Sequence, residues 1–212
     1  MKPSIKIAFI GATGKAGKFL IKELAKTNYQ VKALVRNPEN TNLPQVEIIT
    51  GNVSNPDNVL SLLKDCNVVI SVLGMGVSLN PTDIFTTSTG NILTAMKKLN
   101  INRYIVITGL NVDTPTDSKS PNSKAATKWM YEHFPATTKN KQEEYEMLTK
   151  SSTDWTMVRL PMIDLTEESP DITISLTDCP GNKISAASLA QFLIKQLTDE
   201  TYIRQAPFIA NK

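Results

Sequence analysis

An apolar run from Ile5 to Ile10 breaks off at Gly11-Ala12-Thr13-Gly14-Lys15-Ala16-Gly17, and a helical pattern begins at once, with Leu20/Leu24 and Ile21/Ala25 four residues apart. Strand, glycine loop and helix in that order leave few folds open. Glycine lets the chain turn sharply and lets a phosphate approach the main chain. The start of the helix adds unpaired amides and partial positive charge. The segment therefore predicts a pyrophosphate cradle. Its Gly-x-x-Gly-x-x-Gly spacing differs from the Gly-x-Gly-x-x-Gly of most two-domain dehydrogenases.

The rest of the chain supplies the sheet that such a cradle needs. Val31–Val35, Val46–Thr50, Asn67–Leu73, Tyr104–Ile107 and Trp155–Leu160 are mostly apolar on successive residues, as parallel strands covered on both faces are, and Ile172–Leu176 reads as a further strand. Helical spacing predicts helices over Lys15–Lys26, Thr82–Leu99, Ser123–His133, Lys139–Lys150 and Ala186–Leu197, while Asn111–Asn122, rich in Asp, Thr, Ser and Pro, predicts a loop. Alternation of the two element types predicts a Rossmann-type α/β fold. Its sheet is doubly wound and mainly parallel, in one domain over residues 1–212, with an acceptor site built from the C-terminal loops and helices.

The 212 residues suit one core, and no apolar run approaches the ~20 residues that span a bilayer. The N-terminus shows no secretory cleavage pattern, so a cytoplasmic setting is expected, with Cys66 and Cys179 reduced. A net charge of +3 without a Lys/Arg block gives no reason to expect nucleic acid or a membrane as partner. A monomer or small homo-oligomer is expected.

The second strand ends in Leu34-Val35-Arg36-Asn37. A site for NADH usually places an acidic residue there for the ribose hydroxyls, whereas a guanidinium holds a 2′-phosphate bidentately, so the sequence points to NADP(H).

Beyond these residues, Gly51-Asn52-Val53, Leu73-Gly74 with Pro81-Thr82, Gly90-Asn91-Ile92, Ser151 through Pro161, and Ile184-Ser185 with Leu189-Ala190 follow in an order similar to one branch of the atypical short-chain dehydrogenases. In that branch the chain resembles the NmrA-like NAD(P)H-binding proteins and the flavin (biliverdin-IXβ) reductases over nearly its whole length. The resemblance implies phosphate contacts from Thr13, Gly14, Lys15 and Ala16, a 2′-phosphate contact from Arg36, and Asn52 with Val53 beside the adenine. It implies Leu73, Gly74 and Met75 at the nicotinamide ribose, a cofactor-facing hydroxyl on Thr108, and Pro161, Met162 and Ile163 near the nicotinamide amide. Two departures stand out. Gly109 occupies the place of a serine in the flavin reductases, and Asn52 replaces an aspartate.

No Tyr-x-x-x-Lys occurs, so the proton relay of typical short-chain dehydrogenases is missing. A flavin or similar planar conjugated ring needs that relay least, because solvent can supply its proton, and such a ring is the expected acceptor. Lys141 is the best polar candidate for chemistry, with Tyr145 one helical turn on and Thr108 at the strand end. Equally open is a solvated Lys/Glu-rich helix face running from Lys139 to Glu146, with no second group to tune the lysine. His133, the one histidine, gives neither a triad nor a metal site. Trp129, Tyr131 and Phe134 suit the wall of an aromatic site, or else simply core or a cover helix, and the loop Gly74–Val77 is expected to shape the acceptor pocket. The reading that follows is an NADPH-dependent reductase of a flavin-like acceptor. Its alternative is a non-catalytic NADP(H) sensor of the NmrA kind.

Overall fold

The computed structural model describes residues 5–74 and 82–212. Its strands are β1 (Lys6–Ile10), β2 (Gln30–Val35), β3 (Val46–Thr50), β4 (Val68–Ser71), β5 (Arg103–Gly109), β6 (Asp154–Leu160), β7 (Met162–Asp164), β8 (Ile172–Ser175), β9 (Lys183–Ser185) and β10 (Phe208–Asn211). Its α-helices are α1 (Lys15–Leu24), α2 (Pro56–Leu63), α3 (Ile84–Leu99), α4 (Pro121–His133), α5 (Pro135–Lys150) and α6 (Ala186–Lys195).

Eight strands form one sheet in the order β3-β2-β1-β4-β5-β6-β10-β8. Every pairing in it is parallel except that of β10 with β8. Alternate residues of each strand point to opposite faces. Ile7 and Phe9 therefore pack with Leu20 and Leu24 of α1 and Leu189 and Leu193 of α6. Ala8 and Ile10 pack with Leu62 of α2, Ile92 and Met96 of α3, and Leu148 of α5. Both faces are covered, which explains the near-continuous apolar strands and makes this a single Rossmann-like domain. The strand order reverses between β1 and β4, and the carboxyl ends of the strands open a crevice there.

Local chemistry sets where several helices begin. Asn55 accepts from the Asp57 and Asn58 amides to start α2, and Ser185 accepts from the Ser188 amide at 2.9 Å to start α6. Pro121 and Pro135 stand at the first turns of α4 and α5, where no amide hydrogen is needed. These two helices thus start earlier than the expected Ser123 and Lys139. Strand β4 ends at Ser71, short of the expected Leu73. The pair β7–β9 and the strand β10, which lies between β6 and β8, are not marked in the sequence, because runs of three or four residues carry too little periodicity to stand out.

Candidate functional site

Gly11 ends β1 with φ +90°, and a Cβ there would lie 2.9 Å from the Val72 carbonyl group, so the turn requires glycine. A Cβ on Gly17 would overlap the Gly11 and Ala12 carbonyl oxygens, which is how the first turn of α1 closes against the loop. The Gly14 amide donates to the Gly11 carbonyl at 3.0 Å, and no side chain caps α1. The next amides, along an exposed edge formed by Thr13, Gly14 and Lys15 with Ala16 half-buried, are left for a ligand. That arrangement fits a dinucleotide pyrophosphate.

Arg36 follows β2 directly, is exposed, and makes no ion pair among the described residues. Asn52 holds its own loop in shape, its Oδ1 accepting from the Ser54 amide at 3.0 Å and its amide donating to Asn58 Oδ1 at 3.0 Å. The buried Val53 offers its carbonyl to Asn91 Nδ2 at 3.0 Å, which ties this loop to α3. Leu73 is half-buried and Gly74 exposed, with nothing within 4 Å of a would-be Cβ; Met75 and the rest of the Gly74–Val77 loop lie outside the described residues.

A cavity of about 770 Å³ opens at the carboxyl ends of β5 and β6, within the usual range for small-molecule sites. Gly109 to Asn111 and Leu160 to Met162 form two of its walls. Trp129 and neighbouring residues of α4 form the third, and the loop Cys179 to Asn182 closes the fourth. Pro161 and Met162, which the resemblance sets near the nicotinamide amide, line this cavity, with Ile163 half-buried beside them. Trp129 is 50% exposed and stacks on His133 at 4.4 Å, while Tyr131 and Phe134 are also exposed, so this cluster is no part of the core.

The cations behind the walls are already paired. Arg159, wholly buried, donates through Nη1 to Asp117 Oδ1 and Oδ2 at 2.7 and 2.8 Å and through Nε to the Ala206 carbonyl at 2.8 Å, and its guanidinium lies 3.5 Å from the centre of the Phe208 ring. Burial lowers its pKa and Asp117 works against that shift. Lys119 donates to the Leu110 carbonyl at 2.8 Å and to Asp113 Oδ1 at 2.6 Å.

The structure does not bring Lys141, Tyr145 or Thr108 to the lining of this cavity. Thr108 is buried on the face covered by α3 and α5, and its Oγ1 has no partner among the described residues. Tyr145 packs edge-on against Trp155, ring centres 6.0 Å apart. Lys141 is buried with its Nζ 4.2 Å from the centre of the Phe85 ring. A solvated face is thus the wrong description of this part of α5. The expectation that no second group tunes the lysine is also corrected, because Glu144 lies buried one turn away. Thr89 donates to Glu144 Oε1 at 2.7 Å, the Tyr104 hydroxyl stands 3.3 Å from Thr89 Oγ1, and Glu144 Oε2 has no partner among the described residues. Burial pushes the Glu144 carboxyl up to about 7, against the pull of Lys141 and Thr89, and burial pushes Lys141 down, against Glu144. Sequence reasoning could have found Glu144 from its three-residue spacing to Lys141. Nothing local marks Asn111 or the loop after Asp178 beyond the Pro180-Gly181 turn signal.

A glycine cradle at the switch point of a 3-2-1-4-5-6 parallel sheet, with a cavity beside it at the strand ends, defines a dinucleotide-binding protein of the Rossmann class. The sequence model of the NAD(P)H-binding family matches residues 11–200, and the chain belongs to that family. Its cofactor is accordingly NAD(P)H. An isoflavone reductase homolog from Nicotiana tabacum is 36% identical over 80 residues, 32% of this chain and 26% of that protein. The chain thus spans about a quarter of that relative's length. Among solved structures, a short-chain dehydrogenase/reductase from Veillonella parvula in complex with NADP superimposes with TM-score 0.80 at 18% identity, covering 98% of this chain and 94% of that one. The oxidoreductase ylbE from Lactococcus lactis gives TM-score 0.77 at 21% identity, over 98% and 91%. At these identities the likeness is one of fold. Among the described residues no helix is long and apolar enough to cross a membrane.

Proposed function

We propose that the chain is an NADPH-dependent reductase whose residues position a planar conjugated acceptor of the flavin type, rather than supply it with a strong acid. The observation that carries this reading is the composition of the cavity at the ends of β5 and β6: Trp129, Leu160 and Pro161 give it flat apolar walls, and among the described residues no carboxylic acid, lysine or histidine lines it. When bound, NADPH supplies the hydride. The chain's own part is to hold the pyrophosphate on the first turn of α1, to hold the 2′-phosphate with Arg36, and to stack the acceptor in the cavity. A proton then reaches the acceptor from water at the open mouth beside the half-exposed Trp129. The names of the Nicotiana relative and the Lactococcus neighbour, a reductase homolog and an oxidoreductase, support the reaction class.

The test is NADPH oxidation across a panel of flavins, quinones and tetrapyrroles. Turnover with a planar ring is expected. The absence of an acid at the cavity also favours a second reading, a non-catalytic NADP(H) sensor. Equal affinity for oxidised and reduced cofactor, with no turnover on any acceptor, would establish the sensor instead.

A further inference from the structure

The described residues expose six large hydrophobic side chains, and all of them lie between positions 129 and 176. Single exposed apolar residues are ordinary, but a group of them beside a cavity marks a binding surface. Two of the six, Trp129 and Met162, also line the acceptor cavity, one on the α4 wall and the other on the wall that follows β6. Trp129 is half-exposed and Met162 is 74% exposed. A side chain that is both wall and surface stands at the mouth, so the cavity opens past these two.

Local structure keeps both in place. Alternation along β7 turns Ile163 inward and leaves Met162 outside. Trp129 stacks on His133 at 4.4 Å, and His133 Nδ1 lies 2.9 Å from the Trp129 carbonyl oxygen, which fixes the ring near the end of α4. Phe134 stands edge-on to the same ring, centres 5.7 Å apart, and is exposed without lining the cavity. The apolar lining made by Met130, Leu160 and Pro161 thus continues through Trp129 to Phe134 on the outer surface. The rest of the mouth is more polar, with Asn122 and Asn182 as exposed lining residues.

A planar ring seated inside would cover the inner walls and leave Met162, Phe134 and the exposed part of Trp129 in water. Apolar surface continuous with a cavity is covered most directly by another part of the same ligand. The unbranched side chain of Met162 adapts readily to a flexible chain laid across it. Resting on the reductase reading above, we infer that the acceptor carries an apolar chain, as an alkyl- or prenyl-substituted quinone does, and that this chain leaves the cavity over Met162 and Trp129 toward Phe134. Water still reaches the ring along the Asn122 and Asn182 side of the mouth.

The experiment measures binding separately from turnover. Calorimetric titration of the NADP⁺-loaded protein uses 1,4-naphthoquinones that carry a methyl, propyl, pentyl or heptyl group on the quinone ring. Each added methylene should tighten binding roughly twofold, against roughly fourfold for one fully buried, so that heptyl exceeds methyl by roughly fiftyfold. Met162→Ser, at a position too exposed to disturb the fold, should cut that gain to below roughly tenfold. Phe134→Ser, outside the cavity, should leave the methyl compound unchanged and weaken the heptyl one roughly three- to tenfold. Equal affinity along the series, the wild-type gain kept in both variants, or no binding of any member overturns the proposal. So does a dimer of the unliganded protein in sedimentation that Phe134→Ser abolishes, which would assign the ridge to a second copy of the chain. NADPH oxidation by lumiflavin is followed in parallel. Its failure while the chain-length pattern holds would sink the reductase reading alone.

Discussion

Lys141 and Glu144 stand three residues apart on the buried side of α5, one above the Phe85 ring and the other accepting from Thr89. The carboxyl is pushed up to about 7, above the 4.5 of a free glutamate, by its removal from water. A folded-state pKa raised in this way means that the folded chain keeps a proton which the unfolded chain gives up between pH 4.5 and 7. Stability therefore falls as pH rises through that window, by about 3 kcal/mol if the carboxyl acted alone. Glu144→Gln keeps the Thr89 hydrogen bond and removes the titration. Urea unfolding should find the variant more stable than wild type at pH 8 and nearly equal to it at pH 4.5. The same pH slope in both proteins would show that Glu144 ionises freely.

Lys141 does not line the cavity, and its replacement should reach chemistry only indirectly. Lys141→Met is expected to leave the single-turnover rate of NADPH oxidation with saturating lumiflavin within about fivefold of wild type, well short of the ~10² to 10⁴ lost with a general acid. A hundredfold slower hydride step would show that the lysine serves as the acid.

On the proposed function, cofactor choice rests on Arg36, which is exposed and unpaired among the described residues at the end of β2. Arg36→Ala should weaken NADPH by roughly ten- to hundredfold, the worth of a charge-assisted contact to phosphate, and NADH by less than about threefold. Equal losses would remove Arg36 from the 2′-phosphate.

Two glycines make a contrasting pair. Gly17→Ala drives a methyl group into the Gly11 carbonyl and should lower both cofactor affinity and thermal stability, while Gly74→Ala meets nothing within 4 Å and should leave the melting temperature unchanged. Differential scanning fluorimetry with and without NADP⁺ reads both effects. A Gly17→Ala protein as stable as wild type would show that the loop yields without cost.

The buried pair of Arg159 and Asp117 gives a fifth expectation. Asp117→Ala leaves a guanidinium without its carboxylate inside the protein and should cost about 3–5 kcal/mol in chemical unfolding. A loss under about 1 kcal/mol would place water around Arg159.

Much of the dinucleotide half was legible, because a glycine that ends a strand and continuous apolar strands are local signals. Leu20, Ile92 and Leu189 fell on core faces for the same reason. The acceptor half was far less so. Its walls come from Asn111, Trp129, Pro161 and Gly181, which no periodicity joins, and the charged residues around Lys141 leave a solvated face as open as a chemical role. Burial of one face of α5 against α3 depends on Phe85 and Thr89, more than fifty residues away, and no local pattern reports it.

Arg159 also says something about when the protein becomes complete. Its guanidinium gathers the carbonyls of Val112, Leu176 and Ala206, segments spread across nearly half the chain. The strands around the glycine loop pair with partners fairly close in sequence, although α1 also packs on α6, whereas this knot must wait for Ala206 and must close long loops to form. During synthesis on the ribosome, the pairing of β1 with β2 and β4 can take shape early, before α6 covers α1. The acceptor cavity dates from the moment β10 slides in beside β6.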